Sequence, residues 1–133
     1  MKRFSLLLLA VGCLLASSCS SLSPTVASGQ PQLGLQAWTF RNLTLVETLD
    51  QARTLGIRYL QAYPGQTLGG GLTGKFHHTM DAAALKEILA QAQAKEVTIT
   101  SYGVITPKDA AEWTVLLAFA QAAGLQEIVT EAK

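Results

Sequence analysis

The residues best placed for chemistry lie near the middle of the chain, in IRYLQAYPGQ at positions 57–66. Gln61, Tyr63 and Gln66 follow an apolar start there and share the stretch with Pro64 and Gly65. Two amides and a phenol supply hydrogen bonds and an aromatic face. Ile57, Tyr59 and Leu60 predict a buried strand after Gly56, and the carboxyl ends of parallel strands are where α/β proteins bind ligands. The competing reading is a strand followed by an ordinary loop. Further on, His77 and His78 offer imidazoles. Adjacent positions are poor spacing for two ligands of one metal on a regular element, so either one of them contacts a substrate or both are solvated loop side chains. The run Gly69, Gly70, Gly71 lacks the Lys-Ser/Thr pair that would make it a phosphate loop.

Four strands and three helices are needed to position these groups. The alternation in LGLQAWTF, positions 33–40, predicts the first strand. Thr44 and Glu47 have the spacing of a capping box, and Leu45, Leu49 and Ala52 give the helix that follows one apolar face. After the central strand, positions 67–79 hold four glycines and predict a long irregular loop. The second helix spans 81–95, with Leu85, Ile88, Leu89 and Ala92 at core spacing. VTITSYGV at 97–104 is a β-branched strand. Thr106, Pro107 and Asp109 announce a third helix whose buried stripe is Trp113, Leu116, Leu117 and Ala120. Gly124 ends it, and LQEIVTEA supplies a fourth strand that finishes at Glu131.

The units repeat. Ala52-x-x-x-Gly56-Ile57-x-x-Leu60 is echoed by Ala120-x-x-x-Gly124-Leu125-x-x-Ile128, and positions 92–99 follow the same outline with Glu96 where the glycine would be. Strand alternating with helix in this way predicts an α/β fold with a parallel sheet and right-handed crossovers.

The first 32 positions stand apart from that pattern. Lys2 and Arg3, then the apolar run 6–15, then Ala16, Ser17 and Ser18 before Cys19, resemble a bacterial lipoprotein signal. The expectation is a signal peptide over 1–18, a lipidated Cys19, a flexible Ser/Pro/Thr/Gly tether over 19–32 and a folded domain over 33–133. Such a protein is exported and held at the cell envelope, facing the periplasm, with the membrane as partner through its lipid. The apolar run is too short for a span of ~20 residues. Both cysteines fall in the signal, so the domain has no disulfide and no thiolate metal site. Losing Lys2 and Arg3 turns a formal charge of +1 slightly negative, which argues against nucleic acid as a partner.

Taken in order, LGLQAWTF, TLGIRYLQAYPGQ, SYGVI and EIVTEA, with helices between them, resemble the N-terminal half of the sugar phosphate isomerase/epimerase family of xylose-isomerase-like TIM barrels. The resemblance covers 33–132 and is strongest in AWTFRNLTL and AYPGQ. It implies the first half of a TIM barrel, four strands and three helices, and a protein that moves a proton between adjacent carbons of a sugar with a divalent metal, manganese, zinc or magnesium, in the complete barrel. It places Glu131 at the mouth as a metal-binding or proton-transferring carboxylate, against the alternative of a solvated Glu. Ala132 stands where a proline is expected. Gln61 stands where relatives carry Glu, which leaves hydrogen bonding and removes acid/base chemistry. Trp38, Tyr63 and Tyr102 would line the mouth and stack on a sugar, and His78 would contact it.

An enediolate path needs a base near the carbon acid and a cation for the developing oxyanion. A whole barrel runs to about 250 residues, and the later strands carry most of the family's metal ligands. The expectation is therefore a truncated or split product of a longer gene, inactive alone, or a half barrel that pairs with its missing half or with itself through exposed sheet edges. Three alternatives stand beside the isomerase: a lyase or hydrolase acting on an oxidised sugar, a non-catalytic carbohydrate-binding lipoprotein, and a decayed remnant without a ligand.

Overall fold

The computed structural model describes residues 32–131. The signal, Cys19, the tether up to residue 31, and Ala132 lie outside the described residues. Four strands, β1 (Gly34–Gln36), β2 (Tyr59–Ala62), β5 (Thr98–Gly103) and β6 (Glu127–Val129), form one parallel sheet in the order β1-β2-β5-β6. Helices α1 (Leu45–Thr54), α2 (Ala82–Ala94) and α3 (Ala110–Ala123) make the crossovers between them. Each strand joins the sheet beside the previous one, so right-handed crossovers put all three helices on one face. That is a half TIM-barrel-like arrangement, in contrast to a doubly wound sheet whose strand order reverses.

Helix α1 forms where the capping box lies. The Thr44 N–H donates to Glu47 Oε2 at 2.8 Å and the Glu47 N–H donates to Thr44 Oγ1 at 3.3 Å. Leu45, Leu49 and Ala52 are fully buried, as their spacing predicts. Asp81 caps α2 by accepting from the Ala83 and Ala84 N–H groups at 2.8 and 3.0 Å, and Leu85, Ile88 and Ala92 face the core with Leu89 at its margin. The repeated helix ends share one backbone state: Gly56 and Gly124 have φ of 71° and 66°, and Glu96 takes φ 58° in the same place. A side chain there costs about 1–2 kcal/mol, little of which an exposed ion pair to Arg58 at 3.0 Å recovers.

Three expectations are corrected. The central strand begins at Tyr59, because the Ile57 N–H still closes α1 by donating to the Ala52 carbonyl at 2.9 Å. The first strand is only Gly34–Gln36; from Ala37 to Phe40 the chain winds into a 3₁₀ turn. Positions 67–79 do not form an irregular loop. A hairpin stands there, β3 (Gln66–Gly69) paired antiparallel with β4 (Leu72–Phe76). Its two turn residues, Gly70 and Gly71, both have positive φ, which a two-residue hairpin turn of the primed type requires. The hairpin lies so close to α1 that a Cβ at Gly69 would run into the Thr44 side chain. The Gly70 carbonyl accepts from Gln91 Nε2 at 3.2 Å, which ties the turn to α2.

The hairpin delivers Phe76, fully buried, to a cluster of rings. Phe76 and Phe119 meet edge to face at 5.6 Å, Phe76 and Tyr102 at 5.7 Å, and Tyr102 and Phe119 lie 5.2 Å apart. Seating Phe119 there fixes the rotation of α3 about its axis. Its buried face is Leu116, Phe119, Ala120 and Ala123, so Trp113 and Leu117, expected in the core, are 39% and 56% exposed. No helix among the described residues is long and apolar enough to cross a membrane.

Candidate functional site

Strand register decides which side chains share the helix-free face. Gln36 pairs with Gln61, Gln61 with Ser101 and Ser101 with Glu127. An extra residue at Thr100 shifts the β2–β5 register between Leu60 and Gln61, and this shift is what brings Ser101 opposite Gln61. The outcome is a row of two amides, a hydroxyl and a carboxylate across all four strands, lining a cleft of about 310 Å³. The other face holds Leu35, Leu60, Ile99 and Tyr102 against the helices.

Beyond the carboxyl ends of β1 and β2 stands an aromatic pair that is not part of the cleft's lining. The 3₁₀ turn after β1 lifts Trp38 to 54% exposure, and Tyr63 follows β2 directly. Their rings meet edge to face with centroids 5.0 Å apart and planes at 82°. The Arg41 guanidinium lies 5.7 Å from the Trp38 ring centre. The Tyr63 hydroxyl donates to the Arg41 carbonyl at 3.5 Å. Partial burial raises the Tyr63 phenol above its ordinary range, with Arg41 opposing. The pair is a rigid, uncharged platform with a cation at its edge, suited to the C–H face of a ring ligand. Glu131 follows β6 as an exposed carboxylate at the same end of the sheet.

Two expected mouth residues lie elsewhere. Tyr102 is fully buried on the helix side, where burial pushes its phenol up to about 12, opposed by a hydrogen bond from the His78 backbone. His78, expected at the substrate or in solvent, is only 4% exposed and lies between Tyr102 and α3. Gln66 is buried too: its Nε2 donates to the Leu43 carbonyl at 3.3 Å and to Thr48 Oγ1 at 3.0 Å, so it braces α1 and takes no part in the mouth. Of the expected site residues, the structure pairs Trp38 with Tyr63 and sets Gln61 in the polar row. It adds Gln36, Ser101, Glu127 and Arg41, and alternation along β1 and β6 is the signal that points to Gln36 and Glu127.

The described residues gather no group of three His, Cys, Asp or Glu that could hold a metal ion. Glu131 alone does not make a divalent site, which needs several oxygen or nitrogen ligands.

No protein-family model matches the chain, and no curated protein matches it. Two of the solved structures similar to the chain come from one organism. An uncharacterised protein from Parabacteroides distasonis ATCC 8503 is 28% identical with a TM-score of 0.74, over 77% of this chain and 43% of that one. A sugar phosphate isomerase/epimerase from the same organism is 15% identical with a TM-score of 0.54, over 81% of this chain and 42% of that one. The chain spans less than half the length of either structure, and its likeness to the second is one of fold.

Proposed function

We propose that this chain carries the sugar-binding part of an isomerase/epimerase-type site, of the kind that moves a proton between adjacent carbons of a sugar or sugar derivative. The observation that carries the proposal is the Trp38–Tyr63 ring pair just past the carboxyl ends of β1 and β2, the two strands that carry Gln36 and Gln61 of the polar row Gln36, Gln61, Ser101 and Glu127. A sugar ring has an apolar C–H face and a rim of hydroxyls, and these two surfaces complement it. The fold shared with a sugar phosphate isomerase/epimerase supports the same reading. Gln36 and Gln61 would orient hydroxyls, and the Glu131 carboxylate would accept or return a proton at the open end. A divalent metal would supply charge stabilisation in a whole barrel, but the described residues do not form its ligand set, so no step is assigned to it.

A second reading, carbohydrate binding without catalysis, is favoured by the same platform, which needs no metal. Saturation-transfer NMR on the mature chain with D-xylose and D-glucose tests the shared core of both. Transfer to ring protons is expected, and Trp38→Ala should weaken binding about tenfold, or 1.4 kcal/mol. No transfer to either sugar at millimolar concentration would remove the carbohydrate reading altogether. Titration with manganese or zinc then separates the two, since tighter sugar binding with the metal present belongs to the isomerase.

Export as an envelope lipoprotein through Cys19 belongs to the proposal and rests on the residues around that cysteine. The intact mass of the protein from a membrane fraction checks it: a lipid adduct beginning at Cys19 supports anchoring, and an unmodified Met1 start overturns it. The same mass shows whether this polypeptide works alone or within a longer chain, and light scattering tests pairing between half barrels.

A further inference from the structure

The charge of Arg41 is not answered by a neighbour. Among the described residues the ion pairs are Arg58 with Glu96, His78 with Glu112 and Lys95 with Asp50, and none involves Arg41. The carboxylate nearest to it in the sequence, Glu47, is held at the cap of α1, where Oε2 accepts the Thr44 N–H and the Thr44 hydroxyl, each at 2.8 Å.

The backbone of Arg41 is nevertheless fixed on both sides. Its N–H donates to the Trp38 carbonyl at 3.2 Å, closing the 3₁₀ turn, and its own carbonyl accepts the Tyr63 hydroxyl at 3.5 Å. The guanidinium lies 5.7 Å from the centre of the Trp38 ring. Its charge reaches Tyr63 as well, where it opposes the upward shift of the phenol. An exposed cation is thus held beside both rings of the platform with no carboxylate on its N–H fork.

A cation so placed selects for charge on whatever lies across the rings. The fork of a guanidinium matches the two oxygens of a carboxylate. A phosphate dianion is better served by several donors, and helix N-termini commonly provide them. Here the N-terminus of α1, which begins three residues after Arg41, already carries the Glu47 carboxylate, whose negative charge disfavours a dianion more than a monoanion.

We infer that the ring ligand of this site is a sugar acid, whose carboxylate Arg41 holds while the sugar ring lies on Trp38 and Tyr63. The inference rests on the carbohydrate reading of the platform and narrows it: a neutral sugar uses the rings alone, an acidic one the rings and the guanidinium. Arg41 is thereby a residue that sets specificity, distinct from any carboxylate that moves a proton.

Saturation-transfer NMR titrations of the purified chain with D-glucuronate, D-glucose and D-glucose 6-phosphate test this. Glucuronate is expected to bind about fivefold more tightly than glucose, the gain that one exposed ion pair provides, and sodium chloride at about 0.5 M should remove most of that preference. Arg41→Gln should erase the preference, so that the two sugars bind alike, and Arg41→Lys, which keeps the charge without the fork, should retain part of it. If neither sugar shows transfer, the carbohydrate reading falls and takes this inference with it. If glucose binds as tightly as glucuronate, or if Arg41→Gln leaves the preference intact, that reading stands and the inference alone is overturned. Tighter binding of glucose 6-phosphate than of glucuronate overturns the carboxylate assignment in favour of a phosphorylated sugar.

Discussion

Helices α1 and α3 start alike and are placed by different forces. Each opens with a capping side chain and a glutamate three residues on: Thr44 and Glu47 bond reciprocally, whereas Asp109 accepts the Glu112 N–H and the Glu112 carboxylate takes the Lys108 N–H in front of the cap. Along α1 the apolar residues form one stripe against charged neighbours Glu47, Asp50 and Arg53, so periodicity alone selects the buried face. Along AAEWTVLLAFAQAA almost every position is apolar or small, so periodicity selects none. Only the ring cluster with Phe76 and Tyr102 decides which side of α3 turns inward. The caps diverge in the same way: the α1 cap is a local contact at the surface, while Glu112 is also engaged by His78 from a distant segment. A helix with a one-sided pattern carries its own orientation; a uniformly apolar helix takes it from its neighbours.

The sharpest way to break this comparison is to empty the cluster. Phe119→Ala should cost about 3–5 kcal/mol in urea denaturation, whereas Trp113→Ala, on the exposed flank, should cost less than about 1 kcal/mol. The reverse ranking would mean that α3 is rotated differently. The cluster also predicts an alkaline limit. The Tyr102 phenol is raised in the folded chain to about 12 and is ordinary, near 10, in the unfolded one, so above pH 10 the unfolded state loses its proton first. Stability should fall as the pH rises from 10 towards 12, and Tyr102→Phe should flatten the fall attributable to that residue.

The α1 side predicts a smaller, local effect. Thr44→Ala should cost about 1 kcal/mol and leave the hydrogen exchange of α3 unchanged. Hydrogen bonds from the backbone and side chain of Thr44 hold the Glu47 carboxyl below its ordinary value of 4.5. Its contribution is thus present above that value and lost as the pH falls through the lower folded one. The smallest change is expected at Glu96→Gly. Relief of the left-handed backbone is offset by a more flexible unfolded chain and by loss of the Arg58 pair, so stability should shift by no more than about 1 kcal/mol.

The alternation of strands and helices, their parallel sheet, the capping box of α1 and the helix stop at Glu96 were legible in the residues; the start of α3 was not, since Thr106 and Pro107, expected as its cap and first turn, precede a helix that Asp109 caps. Each depends on contacts within a few positions or on a period that one stretch displays by itself. The exposed platform was partly legible: Trp38 and Tyr63 follow their strands, but the 3₁₀ turn that raises Trp38 is not marked by the alternation in LGLQAWTF. The hairpin had a signal in Gly70-Gly71, obscured by glycines on both sides and by weak strand formers around it.

What tertiary structure decided follows from that hairpin. Phe76 could be placed in the core only once β3 and β4 pair, and with Phe76 come the seat of Phe119, the burial of Tyr102 and the turning of Trp113 to solvent. The enclosure of His78 and the alignment of Ser101 with Gln61 likewise depend on segments more than twenty positions apart. The residues by themselves determined which elements form, because hydrogen bonding and burial periodicity are local; only packing decided which faces meet, because a uniformly apolar helix and a glycine-rich hairpin carry no local preference for one neighbour over another.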